Sequence, residues 1–159
     1  MSTRSYVLVE QVDGSIKGVY VHCDGDKHLE TLNKHYSTKR KRDALLKLGD
    51  LSILAEKTGR PPKGLEHEVG GKSAPGYCLA YHRDRGDEFT NLEFSSWKDF
   101  IKQSGRFWDI QFVYLWDKNN DLVKKNEQVG WQRYLRSSTS SVHRGVYINN
   151  TSATDAWWQ

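Results

Sequence analysis

Tyr6-Val7-Leu8-Val9-Glu10 is a short β-rich run, Asp13-Gly14-Ser15 interrupts it, and Ile16-Lys17-Gly18-Val19-Tyr20-Val21-His22-Cys23 resumes it. Two runs rich in β-branched and aromatic residues around Asp-Gly predict a β-hairpin. Asp24-Gly25-Asp26 ends the second strand as a further turn. The hairpin decides the fold class because later segments repeat its pattern, with helices between sheet segments but no strict alternation of the two.

Working outward, Ile110-Gln111-Phe112-Val113-Tyr114-Leu115-Trp116 is the clearest strand. Tyr77 to His82 reads as another, Phe89 to Phe94 as a shorter one, and Val129, Trp131, Arg133 and Leu135 alternate with polar residues. Val142 to Ile148 is expected to pair again. Leu29, Leu32 and Tyr36 share one helical face, Ser37-Thr38 offers an N-cap, and Ala44, Leu45 and Leu48 continue the helical spacing up to Gly49. Asp50 is expected to cap a short helix over Leu51, Ile53 and Leu54 that ends at Gly59. Ser96-Trp97-Lys98-Asp99 fits a capping box opening a helix that stops at Gly105. The stretch from Arg60-Pro61-Pro62 through Gly70-Gly71 to Pro75-Gly76 reads as a loop. The prediction is an α+β fold with a mainly antiparallel sheet built from hairpins and two to four helices on one face. It forms a single domain over residues 1–136, followed by a C-terminal arm over 137–159.

The chain has 159 residues, enough for one such domain. Hydrophobic residues are 36%, charged residues 28% and mean hydropathy is -0.78, which predicts a thin core and a wet surface. Aromatics at 12% argue against disorder. No apolar run approaches the roughly 20 residues that span a bilayer, and the start lacks a secretory h-region, so a cytoplasmic protein with no membrane association is expected. Lys+Arg is 24 against Asp+Glu 20, a net charge of +4. Cys23 and Cys78 are expected as free thiols that behave as small buried hydrophobes.

Thr3-Arg4-Ser5, Tyr20-Val21-His22-Cys23-Asp24-Gly25, Gly49-Asp50-Leu51-Ser52 and Arg83-Asp84-Arg85-Gly86 occur in that order over roughly residues 3 to 90. This resembles a large group of small tailed-phage and prophage proteins that share a T-R-S start, a Y-x-H-x-D-G segment, a G-D-L-S segment and an R-D-R-G turn. The group usually has an aromatic where Cys23 stands and Tyr-Pro after the first Asp-Gly, where this chain has Asp26-Lys27. The resemblance implies a phage or mobile-element origin, a setting rich in small non-enzymatic inhibitors of host or defence machinery. It carries over no catalytic residue.

Four constellations bear on chemistry. His22, Asp24, Asp26 and His28 surround a strand-to-helix turn, where such groups bind a divalent metal or act as acid and base. The structural alternative is that Asp24-Gly25 makes the turn and Asp26 helps to cap the next helix. His82-Arg83-Asp84-Arg85-Gly86-Asp87-Glu88 is superficially like a kinase catalytic loop, but the chain has no Gly-rich loop with its lysine and no D-F-G. It reads as a charged turn or a contact surface for a partner. Lys39-Arg40-Lys41-Arg42 is the strongest basic run. If Thr38 caps the helix, these cations occupy its first turn, where the macrodipole opposes them. Their position answers an outside need, phosphate or an acidic protein, or else is a solvated face. Trp97, Trp108, Trp116 and Trp131 read as core or half-core, with a base-stacking platform as the alternative. No phosphate-binding, nucleophile-elbow or zinc-protease motif occurs.

The leading expectation is a non-enzymatic phage-type protein, without cofactor or metal, that binds and inhibits or redirects a host or defence protein in the host cytoplasm. Its expected contacts are Lys39, Arg40, Lys41, Arg42, Arg83, Asp84, Arg85, Trp157 and Trp158. The alternatives are a nucleic-acid binder using residues 39–42 and a metal-assisted hydrolase around His22, Asp24 and His28. The adjacent Trp157 and Trp158 are expected to be covered by the domain, by a second copy or by the partner.

Overall fold

In the computed structural model, which describes residues 2–64, 75–122, 130–137 and 147–151, the hairpin lies at the centre of an eight-stranded sheet. β1 (Arg4–Glu10) and β2 (Ile16–Val21) pair antiparallel from Ser5↔Val21 to Glu10↔Ile16. Gly14 takes φ 88 in the connection, a conformation that suits a residue without Cβ. β6 (Ile110–Trp116) lies parallel to β1, and β7 (Gln132–Arg136) and β8 (Tyr147–Asn149) extend that side antiparallel. On the other side β3 (Leu51–Ile53) joins the end of β2 in parallel, and β4 (Leu79–Ala80) pairs antiparallel with β3. β5 (Leu92–Phe94) occupies the start of the same β2 edge, opposite Ile16 to Gly18. Among the described residues the α-helices are α1 (Leu29–His35), α2 (Lys39–Leu48), α3 (Tyr81–Arg85) and α4 (Trp97–Gln103).

The fold is α+β. The sheet is mixed rather than purely antiparallel, because β1–β6 and β2–β3 are parallel. A parallel neighbour needs a crossover, and α1 and α2 occupy the crossover between β2 and β3.

The helices do not all lie on one face, which corrects the sequence expectation. Val7, Val9, Val19 and Val21 meet Leu32, Tyr36, Leu45 and Leu48 of the α1–α2 side. Tyr6, Leu8, Ile16, Val113 and Leu115 meet Phe100 of α4 on the other. Tyr6, Val7, Leu8 and Val9 of β1 and every residue of β6 except Gln111 are apolar, so both pleat faces require cover.

The predicted helix over Leu51, Ile53 and Leu54 is instead β3. Its pairing with β2 is continued by bonds from His22 N to Leu51 O and Cys23 N to Ser52 O, each 3.0 Å. Asp50 does not cap it. The Asp50 carboxylate accepts from Tyr20 N at 2.9 Å and Thr90 Oγ1 at 2.7 Å, tying β2 to the strand-leading loop. The strand expected over Tyr77 to His82 shrinks to β4, and Tyr81 to Arg85 turns into α3 because the Asp84 carboxylate accepts from Ala80 N at 2.8 Å. Asp26 makes no cap for α1 either, since His28 holds the N-cap position with no side-chain bond.

Two caps follow the sequence pattern. Thr38 Oγ1 accepts from Lys41 N in α2, and Ser96 Oγ accepts from Asp99 N in α4. Gly49 closes α2 with φ 73. Cys23 and Cys78 are free thiols, Cys78 buried and Cys23 partly so. Of the C-terminal segment, residues 147–151 are described. Tyr147 is buried and its hydroxyl donates to Ile110 O at 2.8 Å, which docks β8 onto the domain. Trp157 and Trp158, residues 138–146 and the Gly70-Gly71 stretch lie outside the described residues.

Candidate functional site

The basic run divides. Lys39, Arg40 and Lys41 are exposed, with Lys39 Nζ 2.7 Å from Asp43 on the same helix. Among the described residues, Arg40 and Lys41 have no side-chain partner. Arg42 is not a free contact residue, which corrects the sequence reading: its side chain is 2% exposed. The Arg42 guanidinium lies 4.0 Å over the Trp116 ring, donates to both Asp121 carboxylate oxygens at 3.1 Å and donates to Ser37 O at 2.7 Å. The cause is helical spacing, because Arg42 precedes the buried Leu45 and Leu48 at intervals of one turn.

The charged segment at α3 divides in the same way. Arg83 and Asp84 are largely covered and pair with each other at 3.0 Å. Arg83 also donates to Cys78 O at 3.1 Å and to Thr58 O, so it ties α3 to the chain before β4. Arg85 is exposed, with its guanidinium 5.4 Å from the Tyr81 ring centroid.

His22, Asp24, Asp26 and His28 do not converge as ligands. Among the described residues no group of three or more His, Cys, Asp or Glu side chains could hold a metal ion. Asp24 takes the left-handed φ 56 that the turn needs, and a Cβ on the following Gly25 would sit 2.7 Å from Thr3 O. His28 is buried, with Nε2 3.0 Å from Cys23 O, and burial lowers its pKa to about 4. The His28 imidazole is therefore neutral at pH 7. His22 lies apart, with Nδ1 2.7 Å from the Tyr20 hydroxyl.

The tryptophans also separate. Trp116 and Trp131 are core, in edge-to-face contact at 5.7 Å, and Trp97 is half-buried against Phe100 and Tyr134. Trp108 is 75% exposed. It sits on the turn between α4 and β6, closed by Ile110 N donating to Phe107 O at 2.9 Å. Phe107 goes inward, stacked on Phe100 at 5.8 Å, and Trp108 goes outward. The turn is held by the paired residues Arg136 of β7 and Tyr147 of β8. Arg136 Nη1 donates to Ser104 O at 2.8 Å and Phe107 O at 3.1 Å, and Tyr147 donates to Ile110 O.

Beside this turn lies a concavity of about 340 Å³ lined by Ser2, Arg4, His22, Trp108, Asp109 and Gln111. Arg4 Nη1 donates to Asp109 Oδ2 at 2.9 Å across the start of the β1–β6 pair, and this bond raises the Arg4 pKa. Arg4 Nε and Nη2, Asp109 Oδ1, His22 Nε2 and the Gln111 amide make no hydrogen bond among the described residues. The arrangement can hold a ligand by stacking and hydrogen bonding. The sequence reading missed it because Trp108 was counted with the core aromatics. The one available signal was its place between Phe107 and Asp109, off the alternation that starts at Ile110.

No protein-family model, curated protein or solved structure matches the chain. No described helix is long and apolar enough to cross a membrane.

Proposed function

We propose that the protein is a non-enzymatic contact protein of phage type that binds a host or defence protein in the host cytoplasm and inhibits or redirects it. The observation that carries this reading is the head of α2. Arg40 and Lys41 project into solvent where the helix dipole works against each of them by about 0.3–1 kcal/mol at low salt. The fold makes no described use of either, whereas the next residue, Arg42, is built into the interior. Exposed charge of this kind steers a complementary acidic surface and sets the rate and specificity of association. The phage resemblance of residues 3 to 90 supports the class of partner.

Capture from a host lysate with the tagged protein, with and without nuclease, tests the reading. A protein retained after nuclease treatment and lost with Arg40→Glu/Lys41→Glu, at unchanged melting temperature, is the expected result. Capture that nuclease abolishes, with affinity falling steeply as salt rises, transfers the same cations to nucleic acid and overturns the protein-partner reading. Capture unaffected by the double substitution removes α2 from the contact.

A further inference from the structure

We propose that the concavity beside Trp108 is a binding site for a nucleobase, presented by a free nucleoside or nucleotide or by an unpaired residue of a single strand. It goes beyond the contact reading and does not depend on it. Phe107, next to Trp108 in the chain, and Tyr20, bonded to His22, pack on the α4 side of the sheet, whereas α2 packs on the opposite side.

Trp108 supplies the first element. Its indole has no ring contact or hydrogen bond among the described residues, although Trp97, Trp116 and Trp131 all have aromatic neighbours. Its backbone lies in a turn tied to Arg136 and Tyr147 of the β7–β8 edge, and the indole faces solvent. An outward, fixed aromatic face is the platform on which bases stack.

The hydrogen-bonding groups supply the second. Arg4, Asp109, Gln111 and His22 line one small space and together retain unpaired donors and acceptors. Base edges present donors and acceptors side by side. Arginine pairs with guanine, glutamine with adenine, and aspartate accepts from the cytosine amino group. The set therefore suits a base edge without selecting one base.

Charge and size supply the third. Arg4 and Asp109 are opposite in sign and already bonded, so the space is close to neutral. A phosphate at the open Arg4 Nε and Nη2 would sit beside the like-charged Asp109 carboxylate, whereas a neutral ring with its own donors and acceptors can use the same groups without that repulsion. A volume of about 340 Å³ lies at the small end of ligand pockets, which fits one ring system.

The test is calorimetric titration of the full chain with adenosine, guanosine, cytidine and uridine, with their 5′-monophosphates, and with a mixed-sequence single strand. The indole N–H resonance of Trp108, assigned by its loss in Trp108→Ala, reports the site. The expected result is saturable 1:1 binding of at least one nucleoside or of the strand. It should shift the Trp108 resonance and weaken at least about tenfold in Trp108→Ala and measurably in Gln111→Ala, with unchanged melting temperatures. A strand that binds far tighter than any nucleoside and weakens with salt identifies a polynucleotide ligand. Nucleosides that bind as well as the strand, insensitive to salt, identify a free one. Absence of binding by every probe at millimolar concentration overturns the proposal, as does binding that neither substitution changes. If Trp108→Ala instead abolishes capture of a protein while no probe binds, the concavity is a protein contact and the proposal fails.

Discussion

Arg42, Trp116 and Asp121 on one side of the molecule, and Arg4, Trp108 and Asp109 on the other, are the same three residue types in two opposite conditions. In the first trio the guanidinium covers the indole at 4.0 Å, both carboxylate oxygens are bonded to it, and Trp131 packs edge-to-face against Trp116. In the second the arginine makes one bond to the carboxylate, its side chain is 42% exposed, and the indole is 75% exposed with no ring contact or hydrogen bond among the described residues. The first trio is packed into the fold, although Arg42 Nε is buried there without a hydrogen bond. The second has the same chemistry with solvent-facing groups left over, as the proposed base site requires. Residue type does not separate the two trios. Burial and solvent access do.

The largest expected effect is on the closed trio. Arg42→Ala empties a nearly buried site against Trp116, and the lost packing, cation–π contact and bonds to the half-exposed Asp121 should cost about 3–4 kcal/mol, seen as a denaturant midpoint shift at constant slope. A loss under 1 kcal/mol would break the comparison. Next comes pH. His28 has a folded pKa of about 4 against an ordinary value near 6.5, so its unfolded form binds the proton first. Its contribution is complete above pH 6.5, falls as pH drops through that window and is gone below about pH 4, a swing of roughly 2–3 kcal/mol. Denaturant stability measured from pH 7.5 to 4 should show this slope, and His28→Gln should flatten it. Arg83→Ala, which removes the bonds to Thr58 O and Cys78 O and the pair with Asp84, should cost about 1–2 kcal/mol by thermal unfolding. The smallest effect belongs to Arg40→Glu/Lys41→Glu. Its stability should stay within about 0.5 kcal/mol or rise, since anions suit the helix start.

The strands were legible where apolar residues are dense. The sequence alone marks β6 at both ends and pairs β1 with β2, because a hairpin and a continuous apolar run are local signals. β3 was not legible. Leu51 and Leu54 carry the Leu-x-x-Leu spacing of a helix, and only the open edge of β2, distant in sequence, makes Leu51–Ile53 a strand. The placement of helices on two faces was visible in principle, since Tyr6-Val7-Leu8-Val9 leaves no polar face to expose. Of the candidate contacts, Arg40 and Lys41 face solvent as the pattern implies. Arg42 and Arg83 were misassigned because a run of charge reads as one patch, while helix geometry turns one member in three or four toward the core. Trp108 was hidden for the converse reason, because an aromatic residue is read inward unless a turn reverses it.

Thermal unfolding of Arg42→Ala and Trp108→Ala, side by side with the parent chain, tests the difference between the trios most directly. The expected fall is about 6–16 °C for Arg42→Ala and under about 2 °C for Trp108→Ala. Equal losses, or a larger loss for Trp108→Ala, would place Trp108 in the structural framework and erase the difference between the trios.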